Sequence, residues 1–427
     1  SLFATSQFLS RNFIQHPEVL DSLVSRSYAQ NIKEQEELTA ELADHLDLAS
    51  HYEEKLNALR RFRNEEFLRI ALNDIHGHTP QGQTTQQLSL LADVCLQQAL
   101  VMAREELLER YGLPYCQGKG DTSHEAEFAI IGMGKLGGME LNYHSDLDII
   151  FIYEGEGNTQ PAEGTDPERF RPQTNKQYFI RLAQRIISVL TLMTQEGQVY
   201  EIDTRLRPSG NQGPLVTSLP AYREYHEGSA APWERQALIK ARVAAGSAAL
   251  AVSYDALTAE IVYERPLPDN LAEEIFRLRQ RMEKELGKEN EQHRNIKTGR
   301  GGMVDVEFIA QYLQLLHGKQ NQTLRCRNLV DALSALQSEH LISVLDYENL
   351  TCGYKFLRRL ENKLRLVHDQ SVNELTADPK ALNKLARHLG YPDSTGQPEK
   401  LFLEEYARTT QIIRETFDRI LKQTENA

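Results

Sequence analysis

Three aspartates have the spacing that metal-assisted phosphoryl chemistry requires. Asp146 and Asp148 stand two apart where an apolar run, DLDIIFIY, begins, and alternate residues of a strand project to the same side. Two carboxylates held together repel each other unless cations sit between them. Asp203 lies in a later run, QVYEIDTRL, with Glu201 on the same face and with Arg205 and Arg207 following. If that run pairs beside the first, Asp203 completes a cluster of hard oxygen donors suited to Mg2+. Two such ions would lie roughly 3.5 to 4 Å apart and stabilise both the attacking and the leaving oxygen. Asp203 is then the natural acceptor for the proton of an incoming hydroxyl, while Arg205 and Arg207 neutralise phosphate charge or brace the carboxylates.

A glycine-rich turn precedes the pair. EFAIIGMG reads as a buried strand running into GKLGG, and Asp146 follows Gly138 after a short spacer. Glycines let backbone N–H groups approach phosphate oxygens, which makes Lys135, Gly137, Gly138 and Ser145 the candidate phosphate contacts and a nucleoside triphosphate the expected ligand. Each piece alone has a plainer reading: a DxD in a solvated loop, a capping glycine, an aspartate paired with its neighbouring arginine. Their conjunction at the ends of apolar strands would be a costly accident in a core. Lys240 and Arg242, in WERQALIKAR, are further phosphate candidates, of which at most one reaches the ligand from a helix. Trp233 in the same segment is expected to anchor that helix to the sheet. His144 is expected at the surface.

The elements needed to position these groups are legible as periodicities. Leu38, Leu42 and Leu46, then Leu56, Leu59 and Phe62, recur at helical spacing, so the chain reads as helical from Ser1 to about Arg110, with residues 34–74 as one helix or two. HGHTPQGQTT breaks the pattern, and residues 114–124 read as a linker or loop. Strands at EFAIIGMG, DLDIIFIY and QVYEIDTRL, with a helix over about 174–194 presenting Phe179, Leu182, Ile186, Leu190 and Met193, make a small α/β unit. Helices return beyond about Leu250 and continue to the end: one from Asn270, one opened by Gly301 and Gly302, and two later. Asp305 reads as a first-turn carboxylate, and Arg358, Arg359, Glu361, Lys363 and Arg365 as a solvated face with i to i+4 pairs.

Composition bounds the function. The net charge of −13 opposes a nucleic-acid partner, because phosphate-backbone binding depends on Lys and Arg. No apolar run reaches the roughly 18 residues of a membrane span, and the start lacks the pattern of a signal peptide, so a soluble cytoplasmic protein with no membrane partner is expected. Cys95, Cys116, Cys326 and Cys352 show no zinc spacing and read as reduced buried thiols. The chain has no initiator Met and reads as a piece of a longer protein.

The glycine pair, spacer and hDhDh pattern with a later third aspartate resembles the polymerase-beta-like nucleotidyltransferase superfamily. GMGKLGGMELNYHSDLDIIFIY, YEIDTRLRPSGNQGPLVTS, WERQALIKARVAAG and GGMVDVEFIAQYLQL more closely resemble the glutamine-synthetase adenylyltransferases, also called adenylyl-removing enzymes. The likeness covers most of the chain. It implies an α+β, predominantly helical fold: a nucleotidyltransferase core with a small mixed sheet over 123–255, an N-terminal helical region over 1–122 and a C-terminal helical bundle over 256–427. It also implies Mg2+ and ATP, glutamine synthetase as protein substrate, and a PII-type signal protein and glutamine as regulators. Asp146, Asp148 and Asp203 match the family's metal-binding carboxylates, and Gly137 and Gly138 its phosphate-facing turn. Gly301, Gly302, Asp305 and Glu307 match its other conspicuous motif, open to a role in closing over the nucleotide. Family proteins carry two nucleotidyltransferase halves, and one set of motifs implies one half. LRPSG, RQALIKAR and the Asp of VDVEF look more like the adenylylating half than the deadenylylating one. Uridylylation of a signal protein, nucleotide addition to RNA and a catalytically silent regulatory module are the competing readings.

Overall fold

The computed structural model describes residues 32–117, 123–290, 293–368, 372–392 and 397–423. The helical reading of residues 1–31 lies outside the described residues. The chain divides between Ile261 and Val262 into two compact units.

The first unit begins with three helices, α1 (Gln35–Asp47), α2 (Tyr52–Ile75) and α3 (Gln81–Tyr111). The 34–74 stretch is therefore two helices, and Leu38, Leu42, Leu46, Leu56, Leu59 and Phe62 are all buried as their spacing predicts. Pro80 takes the N-cap of α3 in an extended conformation, where its missing N–H costs no helical bond.

Next come β1 (Leu113–Gln117), β2 (Ser123–Glu125), β3 (Phe128–Gly132), the single turn α4 (Gly134–Gly137), β4 (Leu147–Tyr153), β5 (Gly157–Gln160) and α5 (Asn175–Thr191). They are followed by β6 (Ile202–Asp203), β7 (Val216–Ser218), α6 (Leu219–Gly228), α7 (Pro232–Ala237), β8 (Arg242–Gly246) and α8 (Ala248–Ala259). The expected loop at 114–124 instead supplies β1 and β2, because β1 finds antiparallel partners in both β2 and β5. In the central mixed sheet, β3 is antiparallel to β4 and β8, while β6 and β7 both run parallel to the same edge of β4. The runs expected as buried strands fill this sheet, whose middle residues Ile130, Ile131, Ile149 and Ile150 are buried. Helix α5 starts at a capping box in which Thr174 accepts from the Gln177 N–H. It buries Phe179, Leu182, Ile186 and Leu190, but Met193 falls beyond the helix and is 66% exposed.

The second unit is helical: α9 (Leu271–Met282), α10 (Met303–His317), α11 (Leu329–Ser338), α12 (Val344–His368), α13 (Pro379–His388) and α14 (Pro398–Gln423), with a two-stranded ribbon of β9 (His293–Asn295) and β10 (Glu374–Thr376). The fold is thus α+β and predominantly helical. Arg358, Glu361 and Arg365 on α12 form the expected ion pairs, yet all three are buried rather than solvated. The four cysteines are free thiols, and Cys352 is exposed instead of buried. No described helix is long and apolar enough to cross a membrane.

Candidate active site

Strand β6 has only two residues, and their register decides the site. Leu147 pairs with Ile202 and Asp148 with Asp203 in the parallel ladder, and the Leu147 N–H donates to the Glu201 carbonyl at 2.9 Å. Asp148 and Asp203 are therefore cross-strand neighbours, with Asp146 at the entrance to β4. Asp146 is exposed, while Asp148 and Asp203 are half-buried. Glu201, on the outside, accepts from the Gln198 amide.

Helix α2 fixes the approach to β6. Its buried Arg60 donates to the carbonyls of Val189 at 3.0 Å and Gly197 at 2.9 Å, gathering the C-terminal end of α5 and the turn beyond it. Arg63 lies over the rings of Phe67 and Tyr200, pinning the residue three before Asp203. The segment before Asp146 is tied down in the same way. The Leu141 N–H donates to Ser89 Oγ on α3, and the Tyr143 hydroxyl to Asp74 on α2, each at 3.1 Å. Ser145 Oγ accepts from the Asn142 N–H, closing the turn that delivers Asp146. His144 adopts a left-handed backbone (φ 49°) and packs edge-on against Phe67, so it is half-buried rather than a surface residue.

The glycine turn packs under β4. The Met133 N–H donates to the Asp148 carbonyl at 2.8 Å. Gly134 has φ +52°, and a Cβ there would stand 2.9 Å from Asp148 Oδ2. The only sequence signal of this close approach is a glycine two residues past a buried strand, and the motif spacing drew attention to Gly137 and Gly138 instead. A Cβ on Gly137 would fall 1.9 Å from the Lys240 carbonyl oxygen. The amides of Gly137 and Gly138 donate to Met133 and Gly134 carbonyls within the turn. These two glycines thus close and pack the turn instead of directing their N–H groups outward. Lys135 is half-buried on the same turn.

Arg205 lies over Asp203. Its backbone N–H reaches Asp203 Oδ1 at 2.8 Å, and its Nε reaches the two carboxylate oxygens at 3.0 and 2.8 Å. The hydrogen-bonded guanidinium holds the Asp203 carboxyl below its ordinary range. Arg205 is itself raised, by Asp203 first and also by Asp148 and Asp146, so one cation feels all three carboxylates. Arg207 lowers Asp203 more weakly, from a distance, and donates to the Thr204 carbonyl and hydroxyl, both at 2.9 Å, bracing the loop after β6. Among the described residues, no three His, Cys, Asp or Glu side chains are gathered as a ready metal cage.

Lys240 and Arg242 direct their charges inward. Lys240 is buried against Glu140 at 2.8 Å, and Arg242, on β8 rather than a helix, pairs with the buried Asp93 at 2.8 Å and donates to the Leu136 carbonyl. Trp233, expected as an anchor, is 42% exposed. Asp305 belongs to the second unit. It does open α10, but its fully buried carboxylate is paired with Arg279 and Arg414 and accepts from the Gly301 N–H at 2.8 Å. Glu307 is half-buried on the same helix.

Residues 1–257 match the family described as Glutamate-ammonia ligase adenylyltransferase, and residues 269–421 match the GlnD PII-uridylyltransferase family. The bifunctional glutamine synthetase adenylyltransferase/adenylyl-removing enzyme of Nitrosococcus oceani is 34% identical over 96% of this chain and 41% of its own length. The proteins of the same name from Pseudomonas aeruginosa and Pasteurella multocida are 32% and 34% identical, over 93% and 87% of this chain and 39% and 37% of theirs. The chain thus spans well under half of these relatives.

Proposed function

Because the chain belongs to the glutamate-ammonia ligase adenylyltransferase family, we propose that Asp146, Asp148 and Asp203 transfer AMP from ATP to a tyrosine hydroxyl of glutamine synthetase, the oxygen forming a bond to the α-phosphorus as the α–β phosphoanhydride breaks and pyrophosphate leaves. The observation that carries this reading is the parallel register of Asp148 with Asp203, which joins the third carboxylate to the first two by a hydrogen-bonded ladder rather than by chance proximity.

The donor set fits Mg2+: it consists of carboxylate oxygens at adjacent strand ends, and a guanidinium already lies against it as a stand-in cation. Bound there, Mg2+ would neutralise triphosphate charge and hold the transferred phosphoryl group. The chain's own residues do the rest. Asp146 and Asp148 would hold the ion, and Asp203, kept ionised at neutral pH, receives the proton of the attacking tyrosine. The turn at Gly134–Gly138, with Lys135 and Ser145 beside it, limits where the phosphates can sit. Residues 123–255 are assigned to this chemistry and 1–122 to its helical support.

The direction, addition rather than removal of AMP, rests on LRPSG, RQALIKAR and VDVEF. The likeness of residues 269–421 to a family named for PII uridylylation supports assigning 256–427 to regulation by a PII-type signal protein, with glutamine as a second signal in the cytoplasm. The test is incubation with Mg2+, labelled ATP and unmodified glutamine synthetase beside Asp146→Asn. Label on glutamine synthetase with the parent chain alone is expected, and equal labelling by the variant would refute the proposal. ADP release from AMP-modified glutamine synthetase and phosphate, in place of labelling, would reverse the direction.

A further inference from the structure

We infer that Ser89 and Asp93, on one face of α3, are positioning residues for the site: they fix the segment from Gly134 to Asp146, which forms the glycine turn and delivers the first aspartate. This rests on the reading of the three aspartates as a transfer site.

The conformation of that segment carries the inference. Between the ends of β3 and β4 the chain takes positive φ at Gly134 (52°), Met139 (56°) and His144 (49°). Glycine adopts this backbone freely, but Met139 and His144 carry side chains, for which a left-handed conformation is costly. Such residues persist only where the surroundings over-determine them, and they cluster where a site needs a set geometry. The single turn of α4 is too short to impose that geometry by itself.

Helix α3 supplies the constraint. Ser89, Asp93 and Gln97 are spaced four apart, which stacks them on one face. The buried Ser89 hydroxyl donates to the Thr85 carbonyl at 2.8 Å and accepts from the Leu141 N–H at 3.1 Å. The buried Asp93 carboxylate holds one terminal nitrogen of Arg242, whose distances to the two oxygens are 2.9 and 2.8 Å. That same nitrogen donates to the Leu136 carbonyl at 3.1 Å. Asp93 therefore aims a guanidinium that ties down α4. The two ties alternate with the left-handed residues: Leu136 lies between Gly134 and Met139, and Leu141 between Met139 and His144. A buried ion pair often stabilises no better than apolar residues of the same size, so what it adds here is direction. Gln97 does the corresponding job away from the turn, accepting from the Gly246 N–H at 2.9 Å. Strand β8 sets Arg242 opposite Gly132, beside the turn, and Gly246 opposite Ala129, near the other end of β3.

That difference supplies the control. Ser89→Ala, Asp93→Asn and Gln97→Ala each remove one contact of α3 in the full chain, and all three should unfold at lower urea. In Ser89→Ala and Asp93→Asn the Gly134 and Gly138 amide resonances are expected to shift. The kcat for AMP transfer should fall on the order of tenfold to a hundredfold, with a smaller change in KM for ATP. Gln97→Ala is expected to keep parental resonances and kcat. Arg242→Lys retains a cation for Asp93 without the planar fork; it should give an intermediate loss, and it decides the point if Asp93→Asn does not fold. Parental resonances or parental kcat in Ser89→Ala, or an equal loss of kcat in Gln97→Ala, would make the stripe a stabiliser alone and overturn the inference. If the parent itself transfers no AMP, the reading of the aspartates fails, and the resonances decide whether α3 fixes the segment.

Discussion

Asp203 and Arg205 are two residues apart, and their contact has opposite effects on the carboxylate: it stays ionised, but it is covered. Its lowered pKa follows from the Arg205 guanidinium, so the stabilisation it provides is fully present above the ordinary carboxylate range and is lost as pH falls through the depressed folded value. Solvent screens much of that contribution, which makes a carboxyl NMR titration the better measurement. Asp203 is expected to titrate below the usual range in the parent and to move up into it in Arg205→Gln; an unmoved titration would remove the arginine as the cause. Gly134 offers a second test at this scale. Its φ of +52°, and the mere 2.9 Å that would separate an added Cβ from Asp148 Oδ2, mean that Gly134→Ala both strains the backbone and pushes the carboxylate. The strain should cost about 1–2 kcal/mol, measurable by denaturant unfolding. AMP transfer should fall further than that loss explains, and full activity would show that Asp148 tolerates displacement.

Strand β6 is held to β4 by a register of two residue pairs, so its stability comes from the elements that deliver it. Arg60 and Arg63 on α2 bind the preceding turn, and on the other side the buried Lys240–Glu140 pair sits beneath the glycine turn. Lys240→Met removes the ammonium from the buried Glu140 carboxylate and is expected to destabilise the chain by about 3–5 kcal/mol, measured by urea unfolding. A phosphate ligand in that position would behave in the opposite way, with nucleotide affinity lost and stability unchanged. Thr174→Ala removes the α5 capping box and should cost about 1 kcal/mol. Sequence periodicity found β3, β4 and α5 because each buries a repeating apolar face. It assigned a whole strand to QVYEIDTRL where only Ile202 and Asp203 pair, and it missed β1, β7 and β8, since short strands are defined by distant partners rather than by their own pattern. The three aspartates were legible because charge at a strand end is conspicuous. The inward roles of Lys240 and Arg242 were not, because Glu140 and Asp93 lie 100 and 149 residues away in the chain.

Each unit sets buried charge into an apolar interior. The first pairs Lys240 with Glu140, and the second places a charged cluster at the start of α10, where Arg279 and Asp305 are both fully buried and Arg414 from α14 completes the group. The spacing of Gly301, Gly302 and Asp305 made them stand out in the sequence, but the partners of Asp305 on α9 and α14 could not be read from it, because Arg279 and Arg414 are distant in the chain. Asp305→Asn preserves shape while removing the negative charge, leaving the buried Arg279 with only the more distant Glu283, at 3.8 Å, which it shares with Arg414. The expected cost is about 3–5 kcal/mol, and it should be local to the unit that begins at Val262. Hydrogen exchange should speed up in α9, α10 and α14 while β3, β4 and α5 keep the protection of the parent. Equal loss of protection in β3 and β4 would show that the chain opens as one cooperative block and that the division at Ile261 has no energetic meaning. Confinement of the loss to α9, α10 and α14 would instead make Asp305 a stabiliser of the second unit, whatever that unit reports to the aspartates of the first.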